Sequence, residues 1–273
     1  MKPYVILALT TFHDLNSDGF GADLYSLISQ IEPRLLPQRA GWLGTLSASV
    51  TSIEDFAALW RNDRQIYTSQ GRCGKRESTG INMGVEWTRR SAIKNKGKII
   101  HRGIKFSNQA EALVLHSEWR ARVDWLELFR RLCLLTKAAH GMLHLYCPDE
   151  TSGFGPDKRS LYQREGIHGQ QAFTYSIDPY GIRRPPGPGD PNLKTFRQLP
   201  ELTWATWLGS NFDGQYDRRS LKDMVVNTAE TQDGFLFTIT DQLGDIMDDF
   251  VSFRNRRDAV KASGFPETFF QTD

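Results

Sequence analysis

ELTWATWLGSNF (201–212), DGFLFTIT (233–240) and DQLGDIMDDFVSFRNRRDAVKASGFPETFF (241–270) form the tract on which the architecture of this chain turns. It is dense in Trp, Phe and aliphatic residues, so it can bury a core of its own. Its first segment reads as a short helix with Thr203 near the start, and the spacing of Trp204 and Trp207 places both on a core-facing side. MVVNTAE (224–230) and DGFLFTIT read as two strands joined by a turn at Gln232–Asp233. DIMDDFVSFRNRRDAVKASG (245–264) reads as one helix, ended by Gly264 and Pro266.

Upstream, Tyr4–Phe12 has the β-branched and aliphatic run of a buried strand, followed by the polar turn HDLNSDGFG (13–21). Leu24, Leu27, Ile28 and Ile31 recur at helical spacing, and Pro33 stops that helix. RAGWLGTLSASV (39–50) reads as a strand. SIEDFAALW (52–60) reads as a helix with Ser52 as N-cap and Asp55 in the capping-box position. SQGRCGKRESTG (69–80) reads as a glycine-broken loop. GINMGVEW (80–87) and KIIHRGIKF (98–106) have strand character and flank the basic connection Arg89–Lys98. SEWRARVDWLELFRRLCLLTKAAHG (117–141) gives the strongest helix signal, with Gly141 as its C-terminal cap and a strand, MLHLYC, after it. Helices and strands intermix without regular βαβ alternation, which predicts an α+β fold with a mixed or antiparallel sheet packed against helices.

The 273 residues suffice for one large domain or two small ones. The expected organisation is a single domain over 1–273, divisible into lobes 1–110 and 111–273. An irregular excursion spans 148–200, where four prolines and two glycines fall between 183 and 192. With 34 Lys+Arg against 32 Asp+Glu the net charge is +2, far from the basic excess of a chain that tracks nucleic acid. No apolar run reaches membrane-spanning length. Pro3 and Tyr4 interrupt the N-terminal apolar stretch, which argues against a secretory leader. Cys73, Cys133 and Cys147 are scattered and odd in number, as reduced thiols of a cytoplasmic protein would be.

Each motif that bears on chemistry has a plain competing reading. Asp14-x-Asn16-x-Asp18-Gly19 matches the first half of a calcium loop, but Tyr25 stands where the bidentate Glu belongs, and a polar strand-to-helix turn accounts for the same residues. Gly19-Phe20-Gly21 lacks the third glycine and distant acid of a dinucleotide loop. His140 and His144 have zinc-like helical spacing, yet Leu143–Tyr146 reads as strand. No acid–acid-x-Lys set of a magnesium nuclease and no GxSxG elbow is present. Arg89–Lys98 is a phosphate-contacting run or a solvated connection. Asp241, Asp245, Asp248 and Asp249 recur three to four apart, so one helix would carry them on one face. They form either a solvated helix start or an anionic patch for a basic partner. No metal site and no cofactor is expected.

KAAHGMLHL (137–145), ELTWATWLGSNF, DGFLFTIT and RNRRDAVKASGFPETFF (254–270) together resemble bacterial immunity proteins of polymorphic-toxin and type VI secretion systems, the immunity protein fifty-two family and its relatives in particular. The resemblance spans roughly 110–270 and rests on a Trp-rich segment and hydrophobic spacing, not on a catalytic signature. It implies a non-enzymatic α+β protein that binds and neutralises a cognate toxin, usually a nuclease of the restriction-endonuclease fold, inside the producing cell. On that reading the partner is the toxin, with no direct nucleic acid and no membrane, and Asp241, Asp245, Asp248 and Asp249 are its expected contact residues. A calcium-loop enzyme built on Asp14, Asn16 and Asp18, and a nucleic-acid-binding accessory protein using Arg89–Lys98, are the alternatives.

Overall fold

Tyr4–Thr11 (β1) is buried on both of its alternating faces from Val5 onward, which places it in the middle of a sheet covered on both sides. The computed structural model describes residues 2–43, 46, 48–61, 68–70, 76–78, 84–101, 110–146 and 202–270. Among these, β1 runs antiparallel to Glu111–Glu118 (β8) on one side and His140–Tyr146 (β9) on the other, with Leu7 opposite both Leu115 and Leu143. The sheet grows outward from this trio. Beyond β8 come Asn95–Ile100 (β7), Gly84–Arg89 (β6), Arg39–Trp42 (β2) and Ala48–Ser49 (β3); beyond β9 come Ala205–Gly209 (β10), Gly234–Thr238 (β12) and Asn227–Thr231 (β11). Among the described residues all ten strands of this sheet pair antiparallel and six helices accompany them, so the α+β expectation holds.

Opposite partners across antiparallel strands share a face, so the register sorts the side chains. Leu9, Gly141, Trp207, Trp87 and Gly97 lie on one face, under α1 (Phe20–Ile31), α2 (Ile53–Arg61) and α3 (Trp125–Thr136). Close approach is made possible by two glycines. A Cβ on Gly141 would lie 2.9 Å from Leu9 and 3.0 Å from Cys133 and Phe129 of α3, and one on Gly97 would fall inside the Trp87 indole. The other face, at its β9–β12 end, carries α4 (Arg218–Met224), α5 (Asp245–Asp248) and α6 (Phe250–Gly264). There Phe253 packs on His144, and Tyr216, Phe265 and Phe269 pack around Phe235 and Phe237. Buried apolar residues from Val5 to Phe270 form one core, and β1, from the 1–110 stretch, lies between β8 and β9, both from 111–273.

Several local expectations are realised. Ser52 and Asp55 form a reciprocal capping box: the Asp55 N–H donates to the Ser52 hydroxyl at 3.3 Å and the Ser52 N–H to the Asp55 carboxylate at 3.1 Å. Helix α1 ends at Ile31, two residues before Pro33, and Gln232–Asp233 form the β11–β12 turn.

Others are corrected. Residues 205–209 are a strand, not a helix, because β10 is buried between β9 and β12 with helices over both faces, and a short apolar run looks the same in either state. The helix expected from Ser117 starts at Trp125; residues through Glu118 pair with β1 and β7, and Asp124 caps the helix with Oδ1 accepting the Glu127 N–H at 2.9 Å. Lys137, in the left-handed region, ends it, while Gly141 belongs to β9. The strand expected at 39–50 is the β2–β3 hairpin, and part of the loop expected at 69–80 is a small ribbon of Thr68–Gln70 (β4) and Arg76–Ser78 (β5). Cys73, Cys147 and the 148–200 excursion lie outside the described residues, and Cys133 is a buried free thiol. Among the described residues no helix is long and apolar enough to cross a membrane.

Candidate functional site

Three separate segments meet at the C-terminal end of β8 and frame a groove of about 500 Å³: Trp119–Leu126, Trp204, and Asp241–Asp248. Capping by Asp124 begins α3, and the buried indole of Trp125 turns back to donate its N–H to the Arg120 carbonyl at 3.0 Å. That hydrogen bond folds the 120–125 connection tightly and sets Trp119, half-buried, against Trp125 with ring centres 6.5 Å apart. Across the groove the buried Trp204 donates its indole N–H to the Thr240 hydroxyl at 2.9 Å. The Thr240 hydroxyl in turn donates to the Gln242 carbonyl at 3.3 Å. These bonds hold the 240–244 turn against the sheet. Leu243 is buried beneath it, and Met247 lines the groove beside it.

Three aspartates, Asp124, Asp241 and Asp248, stand among these apolar walls, and no Lys, Arg or His is among the described lining residues. The four aspartates expected to share one helical face do not do so. Asp241 precedes any helix, and Asp249 breaks the anticipated helix in two. Asp245 is occupied by its own turn, its Oδ2 accepting the Gln242 N–H at 2.9 Å. Asp249 caps α6, and the hydroxyl and N–H of Ser252 hold its carboxyl below the usual range. Asp241 and Asp248 remain on the groove, exposed, with carboxylates that make no hydrogen bond or ion pair among the described residues. The helical spacing of 117–141 places Trp119, Asp124 and Trp125 inside one helix, so the sequence does not mark Asp124 and the three tryptophans as a site. The available signal was an Asp immediately before Trp125, a helix-start pattern.

The other candidates resolve into structural roles. Asp14 accepts the Asn16 N–H at 2.9 Å, an Asx turn, and buried Leu15 between them donates its N–H to Glu111 at 2.8 Å. No group of three or more His, Cys, Asp or Glu among the described residues is placed to hold a metal ion. Gly19 starts α1 at φ +91°, and the space a Cβ of Gly21 would take is filled by Trp60. His140 and His144 share a face of β9 at a separation of about 13 Å, too far to chelate one ion. His140 packs on Phe212 and is held down to about 4 by burial, while His144 packs on Phe253.

Arg89–Lys98 is the β6–β7 hairpin. The Arg89 guanidinium donates to the Ser91 and Leu36 carbonyls, so it serves the turn. Arg90, Lys94 and Lys96 are exposed around a second hollow of about 410 Å³ that also takes in Tyr4, His116 and Glu118. Burial, with Lys96 nearby, pushes the His116 imidazole below its ordinary value.

No protein-family model matches the chain, and no curated protein matches it. Among solved structures it is similar to the Pseudomonas aeruginosa T6SS protein PA0821, with a TM-score of 0.54 and 11% identity over 94% of this chain and 76% of that one. At that identity the likeness is one of fold.

Proposed function

We propose that this chain is an immunity protein, an antitoxin that binds a cognate toxin of a type VI or related secretion system and neutralises it by covering its active site or its access to substrate. The observation that carries the reading is the groove at Trp119, Trp204 and Asp248. A half-buried indole beside carboxylates that make no hydrogen bond or ion pair among the described residues is what a protein–protein contact uses, the aromatic residue for energy and the charges for register. A nuclease presents a basic surface to its nucleic acid, and Asp241 and Asp248 are the charges in this near-neutral chain suited to meet one. The fold likeness to a T6SS protein is compatible with this role. The chain then acts by occupancy in the producing cell and needs no cofactor. Coexpression with the product of the adjacent gene tests it. That product is expected to be toxic alone, to be tolerated with this chain and to copurify with it. A product that is harmless, or that kills despite this chain, removes the reading.

The hollow at Arg90, Lys94 and Lys96 supports a second reading, a nucleic-acid-binding accessory protein. It requires DNA or RNA binding that weakens steeply with salt and with neutralisation of those three side chains.

A further inference from the structure

We propose that the tryptophan groove is a socket for an arginine side chain carried on a loop of the toxin. The proposal rests on the immunity reading for its partner and on the groove for its chemistry.

Charge decides the sign of the occupant. The described lining residues contribute three carboxylates and no cation, so an acidic or neutral insert would leave Asp241 and Asp248 without compensation at a contact that sheds water. The two are also set apart from their neighbours. Asp245 and Asp249, in the same stretch, spend their carboxylates on backbone N–H groups, whereas Asp241 and Asp248 spend theirs on nothing among the described residues. Both are exposed on the groove with Leu243 and Met247, so their carboxylates are available to donors from outside.

The walls choose arginine over lysine. Trp119, half-buried, offers indole surface to the groove, with the buried Trp125 and Trp204 beneath it, and a planar, weakly hydrated guanidinium stacks on indole while its N–H fork bonds carboxylate. An ammonium keeps its water more tightly and cannot present a fork. Two of the indoles are tied back, Trp125 to the Arg120 carbonyl and Trp204 to Thr240, so the socket is formed before the partner arrives. At about 500 Å³ it exceeds one side chain and admits the loop backbone as well.

The test uses the coexpressed complex and then a small probe. The double variant D241N/D248N and the single variant W119A, each checked for wild-type melting, are expected to weaken binding of the adjacent gene's product by roughly 30- to 100-fold. One arginine of that product, changed to lysine, is expected to reproduce the loss and to add nothing to D241N/D248N. If the wild type binds the product and both variants bind it within about threefold of wild type, the socket is overturned while the immunity reading stands. If the wild type does not bind the product, the immunity reading fails. The socket is then judged by titrating the chain with N-acetyl-arginine amide and N-acetyl-lysine amide. Indole N–H resonance shifts for the arginine probe, larger than for lysine and lost in D241N/D248N, uphold it; no shift, or equal shifts for both probes, overturns it.

Discussion

Asp249 holds Ser252 twice: its Oδ1 accepts the Ser252 N–H at 2.9 Å and its Oδ2 the Ser252 hydroxyl at 2.6 Å. With Asp249 itself extended at φ −152°, that cap separates α5 from α6 and turns the chain between Asp248 and Phe250. Asp248 is thereby left on the groove while Phe250 enters the core. The cap is what divides adjacent aspartates into one that bonds Ser252 and one with no hydrogen bond or ion pair among the described residues.

Replacing Asp249 with alanine should therefore cost stability and leave the groove's charge intact. A loss of roughly 2–4 °C in Tm is expected at neutral pH. The carboxyl titrates below its unfolded value, so its contribution is present above the ordinary aspartate range and is lost as pH falls through the lower folded value. The Tm gap between wild type and D249A should close in that acid window and nowhere else. Thermal melts at stepped pH check this, and an unchanged gap there would remove the capping account.

Burial of His140 gives a second pH dependence, in a different window. Its imidazole is held down to about 4 from 6.5, so the folded chain carries it neutral where the unfolded chain would protonate it. The folded state is fully favoured above 6.5 and loses that advantage as pH falls toward 4, by an amount on the order of 3 kcal/mol. H140L should flatten the stability–pH curve between those values by close to one proton. Urea unfolding at half-unit pH steps measures the slope.

Gly97 and Trp87 face each other across β6 and β7, and the indole occupies the volume a Cβ on residue 97 would need. G97A is expected to destabilise by about 3 kcal/mol or more, because Trp87 is buried against Phe56 of α2 and has nowhere to move. In W87L the same substitution should cost under about 1 kcal/mol, the space being free. A double-mutant cycle by chemical denaturation reads the coupling directly.

What could be read in the sequence was whatever depends on neighbours along the chain. Tyr4–Thr11 is an unbroken β-branched and aliphatic run, Ser52 and Asp55 are three residues apart, and Gly234–Thr238 follows a two-residue turn; each signal is complete within about ten residues. Ala205–Gly209 failed because it is buried on both faces, which erases the alternation that marks a strand. Trp119 and Asp124 failed because the strand–helix boundary at 118–125 depends on β8 pairing with β1, a contact more than a hundred residues away in sequence. The groove failed for the same reason in stronger form. Trp119, Trp204 and Asp248 share it only after the sheet and the Trp204–Thr240 hydrogen bond have formed. Within the acidic tract, the Asp249 break separates the two carboxylates that bond backbone N–H groups from the two that make no hydrogen bond or ion pair among the described residues.

Those two carboxylates also set an expectation for kinetics. Exposed before contact, they steer encounter, and once the complex forms they also hold the guanidinium, whereas Trp119 acts on the lifetime of the complex alone. On the proposed immunity role, association of wild type with the adjacent gene's product should slow by roughly tenfold between 50 mM and 500 mM salt, because a Debye length of about 14 Å shrinks to about 4 Å. D241N/D248N should begin slower and show a flatter salt dependence, while W119A should keep the wild-type association curve and dissociate faster. Surface plasmon resonance across a salt series separates the two. Equal salt slopes for wild type and D241N/D248N would place the steering charge elsewhere on the chain.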